Sequence, residues 1–431
     1  MSDLESINQK YDLGKCIACG SQLTEPLVLI GDQYPSAIFL SQETLQHTSL
    51  SKSSLDLCSC TNPNCLLVQL KTQIDMGTVY QNYPYESGTT ATMKSILANI
   101  VDEALNRITL DKNDVVLDIG GNDGSLLHYL GDRNLARVNI DIAHGIDQVF
   151  SAKNYFYCNR AFSKEIYLSL NLPKPKLIFS TAVFYQLQDP VQFCRDIFEI
   201  MSPNSTFVMQ MTYLGSMYKN NIFDNIVHEH AAYYSLFSLE KLLKRVGLKV
   251  VGAKIVNSYG GSLRVYIMRD DSDQHADTLK FDLDEIRANE IVDEINTYSR
   301  LKEFGDDFLN WQSSLKELIQ SENKQFGHIF GFGASTKGNM ILQALGMTTA
   351  IMPEILDNNS KKIGSLTTGT LIPIKDENAL CPFPNYVLIL PYYYQEFLIN
   401  LIRTKVKKSQ TVRILIPLPV PLITEVTGVL E

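Results

Sequence analysis

The sequence predicts an α/β fold in three parts. These are a small N-terminal zinc module over 1–72, a central doubly wound Rossmann-like domain over 73–275, and a second, smaller Rossmann-like α/β domain over 326–431, with a helical connector over 276–325. Three observations carry this reading. Five of the eight cysteines fall between positions 16 and 65. Two apolar, β-rich segments, VVLDIGGNDGSLL and IFGFGASTKGNMIL, each run into glycines and then into a helical pattern. The charged stretch between them carries apolar residues at helical spacing, from Leu279 to Leu318.

Composition narrows the function classes. The chain has 431 residues, 45% of them hydrophobic and 20% charged, as in a globular protein with a sizeable core. A net charge of −9 argues against a nucleic-acid partner. No apolar run approaches the ~18–20 residues of a membrane helix, so no membrane partner is expected. The start, MSDLESINQKYDLGK, lacks the basic and apolar regions of a signal peptide. The expectation is a cytoplasmic protein whose thiols stay reduced unless a metal holds them.

The cysteines come first in chain order. Cys16 and Cys19 form a CxxC knuckle, and Cys60 and Cys65 a wider pair some forty residues on. Two such pairs suit tetrahedral Zn²⁺ in a closed, structural site. Cys58 competes with Cys60 for the third position. Cys158, Cys194 and Cys381 are scattered and read as core fillers.

The segment MGTVYQNYPYESGTTATM follows, with Tyr80, Tyr83 and Tyr85 close together. It reads equally as a polar linker or as a lid whose hydroxyls meet a ligand. A helix is expected from Thr92 to about Arg107, then a buried parallel strand over Val115–Ile119. Its exit carries Asp118, Gly120, Gly121, Asn122, Asp123 and Gly124. The glycines allow close backbone approach to a ligand. The order D-x-G-G-x-x-G is not the dinucleotide fingerprint. An acid at that strand end repels a pyrophosphate and suits the ammonium of an amino-acid moiety. A second strand ends at Asp141, placed to accept from two ribose hydroxyls. Together these needs describe S-adenosylmethionine; the bland alternative is a tight βα turn with no ligand.

Further strands are expected at LIFST and TFVMQMT. Ligands of open parallel sheets sit beyond strand carboxyl ends, which places Tyr185, Gln186, Gln210 and Tyr213 near the cofactor mouth. FSLEKLLKRVGLKVVGAKIV reads as a capped helix and a strand, and GGSLRVYIM as another strand, with Arg264 serving a phosphate or a surface carboxylate. Two helices fill 278–325. The second glycine loop has Gly331 and Gly333, but Thr336 where a dinucleotide fingerprint has its third glycine, and Asn339 where a Walker lysine motif ends in Ser or Thr. Helix-start N–H groups with Ser335 and Lys337 still make an anion cradle. Strands then end at Asp357 and at Pro391, the latter beside three tyrosines.

The stretch Phe223–Ser235, FDNIVHEHAAYYS, concentrates proton-moving groups: His228, Glu229 and His230, with Asp224, Tyr233 and Tyr234 nearby. The spacing is not the HExxH metal pattern, so proton transfer is the better reading. The bland reading is a surface loop with a chance pair of histidines.

These modules, in this order, resemble the sugar C-methyltransferases of deoxysugar biosynthesis. The resemblance rests on the four-cysteine module, VLDIGGNDGSLL, FDNIVHEHxxYYS, GGSLRVYI and GFGASTKGN, and covers essentially the whole chain. It implies a zinc domain, an S-adenosylmethionine domain and a C-terminal domain closing over a nucleotide-linked 4-keto-6-deoxysugar. His230 would remove the proton α to the ketone, with Glu229, His228 and Tyr85 assisting. The cofactor would take Asp118–Gly124, Asp141 and Gln186. The substrate would meet Tyr83, Tyr185, Tyr213, Tyr234, Arg264, Ser335, Lys337 and Asn339. Two positions depart from the family: Val227 stands where relatives carry Tyr, and Gln186 where they carry His. The other readings are methylation of a different small acceptor, including at oxygen, a nicotinamide oxidoreductase using the second loop, and a non-enzymatic zinc scaffold.

Overall fold

The computed structural model describes residues 10–430 except 42–49, 76, 82–85, 145–147, 150–152, 273–278, 280, 379 and 381. The central sheet contains Val115–Ile119 (β1), Ala136–Asp141 (β2), Tyr155–Asn159 (β3), Leu177–Thr181 (β4), Thr206–Thr212 (β5), Leu248–Val256 (β6) and Ser262–Arg269 (β7). Their order is β3-β2-β1-β4-β5-β7-β6. All neighbours are parallel except β7, which runs antiparallel to β5 and β6. The chain reverses its direction of travel between β1 and β4, and that switch point opens a crevice at their carboxyl ends. All five residues of β1 are buried, Asp118 among four apolar ones, as a strand covered on both faces requires.

Helices cover both faces of this sheet. Ala91–Leu105 (α1) is capped by the Thr90 hydroxyl, which accepts from the Met93 N–H. It lies within two residues of the helix expected over Thr92–Arg107. Ser125–His128 (α2) starts at Gly124, whose φ of 78° needs glycine. Pro190–Ile200 (α3), Leu214–Lys219 (α4) and Leu236–Lys244 (α5) follow, α5 with a Ser235/Ser238 capping box. β3 was not foreseen. Its YFYCN sequence is half-buried throughout, so neither alternation nor an apolar run marks it.

The expected helix pair is present as Leu283–Val292 (α6) and the 29-residue Tyr298–Phe326 (α7). α6 packs on β6 and α5. α7 brings Phe304, Phe308 and Trp311 against the Phe223 ring, at centroid distances of 4.9, 5.5 and 5.5 Å. The second sheet holds Phe330–Phe332 (β8), Ile355–Asp357 (β9), Ile374–Asp376 (β10), Tyr386–Ile389 (β11), Thr411–Ile416 (β12) and Leu422–Thr427 (β13). Its order is β10-β9-β8-β11-β12-β13, parallel but for the last hairpin. Thr336–Ala344 (α8) and Gln395–Lys405 (α9) flank it.

The N-terminal module is stitched to both domains. Ala232–Tyr233 pairs with Val68–Leu70, itself paired with Leu57–Ser59. Phe39–Leu40 pairs with Leu366–Thr367 of the C-terminal part. One apolar core runs from Val28 and Leu57 through Phe223 and α7 into the second sheet. Among the described residues, no helix is long and apolar enough to cross a membrane.

Candidate active site and metal centre

The four cysteines converge. The ligand atoms of Cys16, Cys19, Cys60 and Cys65 all lie within 4.8 Å of one another. The Cys16–Cys65 sulfurs are 3.7 Å apart and the Cys19–Cys60 sulfurs 3.4 Å. A tetrahedron with Zn–S bonds of about 2.3 Å has edges of about 3.8 Å, so the donor set fits zinc and leaves no open position. Cys58 is buried on the Leu57–Ser59 strand and is not one of the four. The Asn62 N–H and side-chain amide donate to the sulfurs of Cys60 and Cys19, as a thiolate site favours.

At the switch point the first glycine loop is shaped by clashes. A Cβ on Gly121 would sit 2.4 Å from Asn139 Oδ1 and 2.5 Å from Asp118 Oδ2, and one on Gly120 2.3 Å from Val183 Cγ2. Asn139 and Gln148 donate to the Asn122 carbonyl, holding the loop from behind. Asp141 accepts the N–H groups of Asn122 and Ala143 at 2.8 and 2.7 Å. Ser87 and Gly88 dock their N–H groups on Asn122 and Asp123. Tyr83 and Tyr85, just before them, lie outside the described residues.

Asp118 is 1% exposed and its Oδ2 has no hydrogen-bond partner among the described residues. Burial, then Asp141 and Asp123, push its carboxyl up to about 8. Three carboxylates with a vacant acceptor ask for a cation. The ammonium of S-adenosylmethionine meets that demand, so the loop fits this cofactor.

The Phe223–Ser235 stretch lies where all three parts meet. A 3₁₀ turn, Phe223–Asn225, sits at its start. The His230 Nδ1–H donates to the Asn225 carbonyl at 2.7 Å, which leaves Nε2 as the basic nitrogen. Burial first, then the charge of Lys337, lowers this imidazole to about 3, so it is neutral at physiological pH. The Tyr185 ring packs edge-on against it at 4.2 Å. Burial pushes Glu229 up to about 7, and Ser36 and the Ala37 backbone approach it without closing a well-formed hydrogen bond. His228 faces the other way: its Nε2–H donates to the Ser53 carbonyl of the N-terminal module at 3.1 Å.

The second glycine loop reaches the same place. Ser335 caps α8, accepting from the Gly338 N–H, and Asn339 donates to the Ser36 carbonyl at 2.8 Å. Lys337 stands over the Tyr393 ring at 4.5 Å. Tyr393 and Tyr392 both donate to Asp224 Oδ1, at 2.7 and 3.0 Å. These tyrosines were not among the expected site residues, and Asp224 was expected only as a neighbour of the histidines with no role; the three tyrosines at the end of β11 were the available signal.

Besides Asn339, held on the Ser36 carbonyl, three expected substrate residues are engaged elsewhere. Tyr213 donates to Glu290, which also caps α5 through the Leu236 and Phe237 N–H groups. Tyr234 is fully buried beneath the cysteine cluster against Phe184. Arg264 is 1% exposed and spends its guanidinium on Gln210, Glu103 and Asn99, tying α1 to β5 and β7. A strand-end tyrosine and a strand arginine point into the core as readily as into a mouth. Gln186 lies half-buried on the turn after β4, beside Tyr185.

A family model described as a methyltransferase domain matches residues 91–253, and one described as a C-methyltransferase C-terminal domain matches residues 257–419. The second match begins before β7, so its segment supplies a strand to the central sheet. The C-methyltransferase NovU of Streptomyces niveus is 26% identical over 370 residues, covering 85% of this chain and 86% of that one. Among solved structures, a chain in the Haloferax volcanii complex of the Trm112 methyltransferase activator and a methyltransferase aligns at TM-score 0.34 and 16% identity, over 41% of this chain and 92% of its own. A Listeria monocytogenes protein described as an S-adenosylmethionine dependent methyltransferase aligns at TM-score 0.33 and 9% identity, over 40% of this chain and 98% of its own.

Proposed function

We propose that this S-adenosylmethionine-dependent methyltransferase, in which models of a methyltransferase domain and of a C-methyltransferase C-terminal domain match successive segments, methylates a carbon α to the ketone of a nucleotide-linked 4-keto-6-deoxysugar. One observation carries the acceptor class. Around the neutral His230, Glu229, Asp224 and Asn225 keep buried side-chain polar atoms without hydrogen-bond partners among the described residues. Each such atom costs on the order of 1–3 kcal/mol when left unmet. A polyhydroxylated, ketone-bearing ligand offers the donors and acceptors that meet them, and an apolar acceptor does not.

Asp118, the Asn122–Gly124 backbone and Asp141 hold the cofactor, which when bound supplies an electrophilic methyl group on a sulfonium. His230 Nε2 takes the α-proton, because its Nδ1 is committed to the Asn225 carbonyl. Glu229 holds the sugar hydroxyls. Tyr185 keeps the imidazole plane fixed and excludes water from one face. The nucleotide extends toward the α8 start, where Ser335 and the helix N–H groups lie. The partner is therefore a small nucleotide sugar, and the zinc is structural. Incubation with methyl-labelled S-adenosylmethionine and a panel of nucleotide-linked sugars, read by mass spectrometry, tests this. Label is expected in ketosugars and not in their 4-hydroxy counterparts. Equal labelling of both overturns the ketosugar reading.

A further inference from the structure

The side chain of Lys337 is the cationic group whose field reaches both His230 and Asp224. It comes from the second position of α8, in the C-terminal domain. Its ammonium lies over the Tyr393 and Tyr259 rings, 4.5 and 5.6 Å from their centroids. Ring faces attract a cation but accept no directed hydrogen bond of ordinary strength. No nitrogen or oxygen acceptor is bonded to it among the described residues. Asp224 is fully buried and close enough to balance its charge; its Oδ1 accepts from Tyr392 and Tyr393, and its Oδ2 has no hydrogen-bond partner among the described residues, so the lysine is held by charge and not by a bond. The ammonium is thus oriented and half-buried, with donors to spare, across from a neutral base.

Removing an α-proton sends the C–H electron pair into a new C=C bond and the carbonyl π pair onto oxygen. That oxygen becomes an anion, and His230, then protonated, cannot also serve it at a distance. Such a charge needs a preorganised donor at the moment it forms. Tyr392 and Tyr393 are spent on Asp224. Resting on the ketosugar reading above, we propose that Lys337 is a catalytic residue: its ammonium donates to the carbonyl oxygen of the acceptor and stabilises the enolate formed when His230 Nε2 takes the α-proton. Asp224, Tyr392 and Tyr393 are positioning residues that hold the lysine on station. The step is balanced, since the proton moves from carbon to His230 and the negative charge rests on oxygen beside the ammonium. The competing role for the same lysine is as an anchor for the sugar nucleotide's phosphates.

The test is α-proton exchange in D₂O, with a nucleoside-diphosphate 4-keto-6-deoxyhexose as probe and S-adenosylhomocysteine present, followed by NMR. Wild type is expected to exchange. Lys337→Met is expected to exchange roughly 100-fold more slowly, the loss typical of one oxyanion donor. Its affinity for the corresponding nucleoside diphosphate, which carries phosphates but no ketone, should stay within about threefold. Retained S-adenosylhomocysteine binding shows that the variant is folded, and Lys337→Gln replaces it if it is not. Exchange at the wild-type rate in the variant overturns the assignment alone. So does loss of nucleoside diphosphate affinity matching the loss of exchange, which makes Lys337 a phosphate anchor. Absence of exchange in wild type overturns the ketosugar reading and the assignment with it.

Discussion

Asp118 and His230 are buried titratable groups perturbed in opposite senses, and each perturbation states what its neighbour must be. Burial and two flanking acids push Asp118 up to about 8. An ordinary aspartate ionises near 3.9, so the free protein loses stability as pH rises from about 4 through about 8. A cationic ligand favours the ionised form and must expel a proton at any pH below about 8. S-adenosylhomocysteine affinity is therefore expected to rise toward pH 8, by up to about tenfold per unit. Calorimetry between pH 6 and 8 checks this, and Asp118→Asn should flatten the slope while weakening binding. His230 is lowered instead, to about 3, by burial and Lys337. Its folded pKa lies below its unfolded value of about 6.5, so stability is full above that pH and is lost as pH falls toward 3.

At the scale of elements, the Phe223–Asn225 turn does the positioning. Its Asn225 carbonyl fixes the tautomer of His230, and its Asp224 is held by hydroxyls from the end of β11, 168 and 169 residues away. The double variant Tyr392→Phe/Tyr393→Phe frees that carboxylate. It should lower turnover by tenfold or more and stability by about 1–3 kcal/mol per lost bond. Cofactor affinity should be unchanged, because β1 and its loop are not touched; a parallel loss of cofactor binding would count against this role. The contrast explains what the sequence made legible. The β1 loop and the HEH stretch are local patterns, and each announces its chemistry within a dozen residues. The Asp224–Tyr392 contact is not local, and no spacing rule links its members. Tyr213, Tyr234 and Arg264 were misplaced for the related reason that strand-end periodicity sets a face and not the partner waiting there.

At the scale of the whole molecule, the chain folds as parts that share one core. The N-terminal module extends its sheet with Ala232–Tyr233, two residues past His230, so the cysteine module and the His230 stretch are joined through backbone pairing. Cys60→Ser should lose the zinc, loosen that strand and lower activity, whereas Cys58→Ser should keep zinc at one per chain by elemental analysis. Retention by the first and loss by the second would reassign the third ligand. The cysteine quartet, the two glycine loops and the helix pair were all readable, because each is a short motif or a long period. β3, β10 and β13 were not, since edge strands with mixed burial carry neither signal.

His230 is the proposed base that enables methyl transfer to carbon. The most direct measurement is ¹³C NMR of the product formed from ¹³C-methyl S-adenosylmethionine and a nucleotide-linked 4-keto-6-deoxysugar, with wild type and with His230→Asn. Wild type is expected to give a carbon-bound methyl signal, and the variant none although it still binds S-adenosylhomocysteine. An oxygen-bound methyl, or a variant with near-normal turnover, would contradict that role.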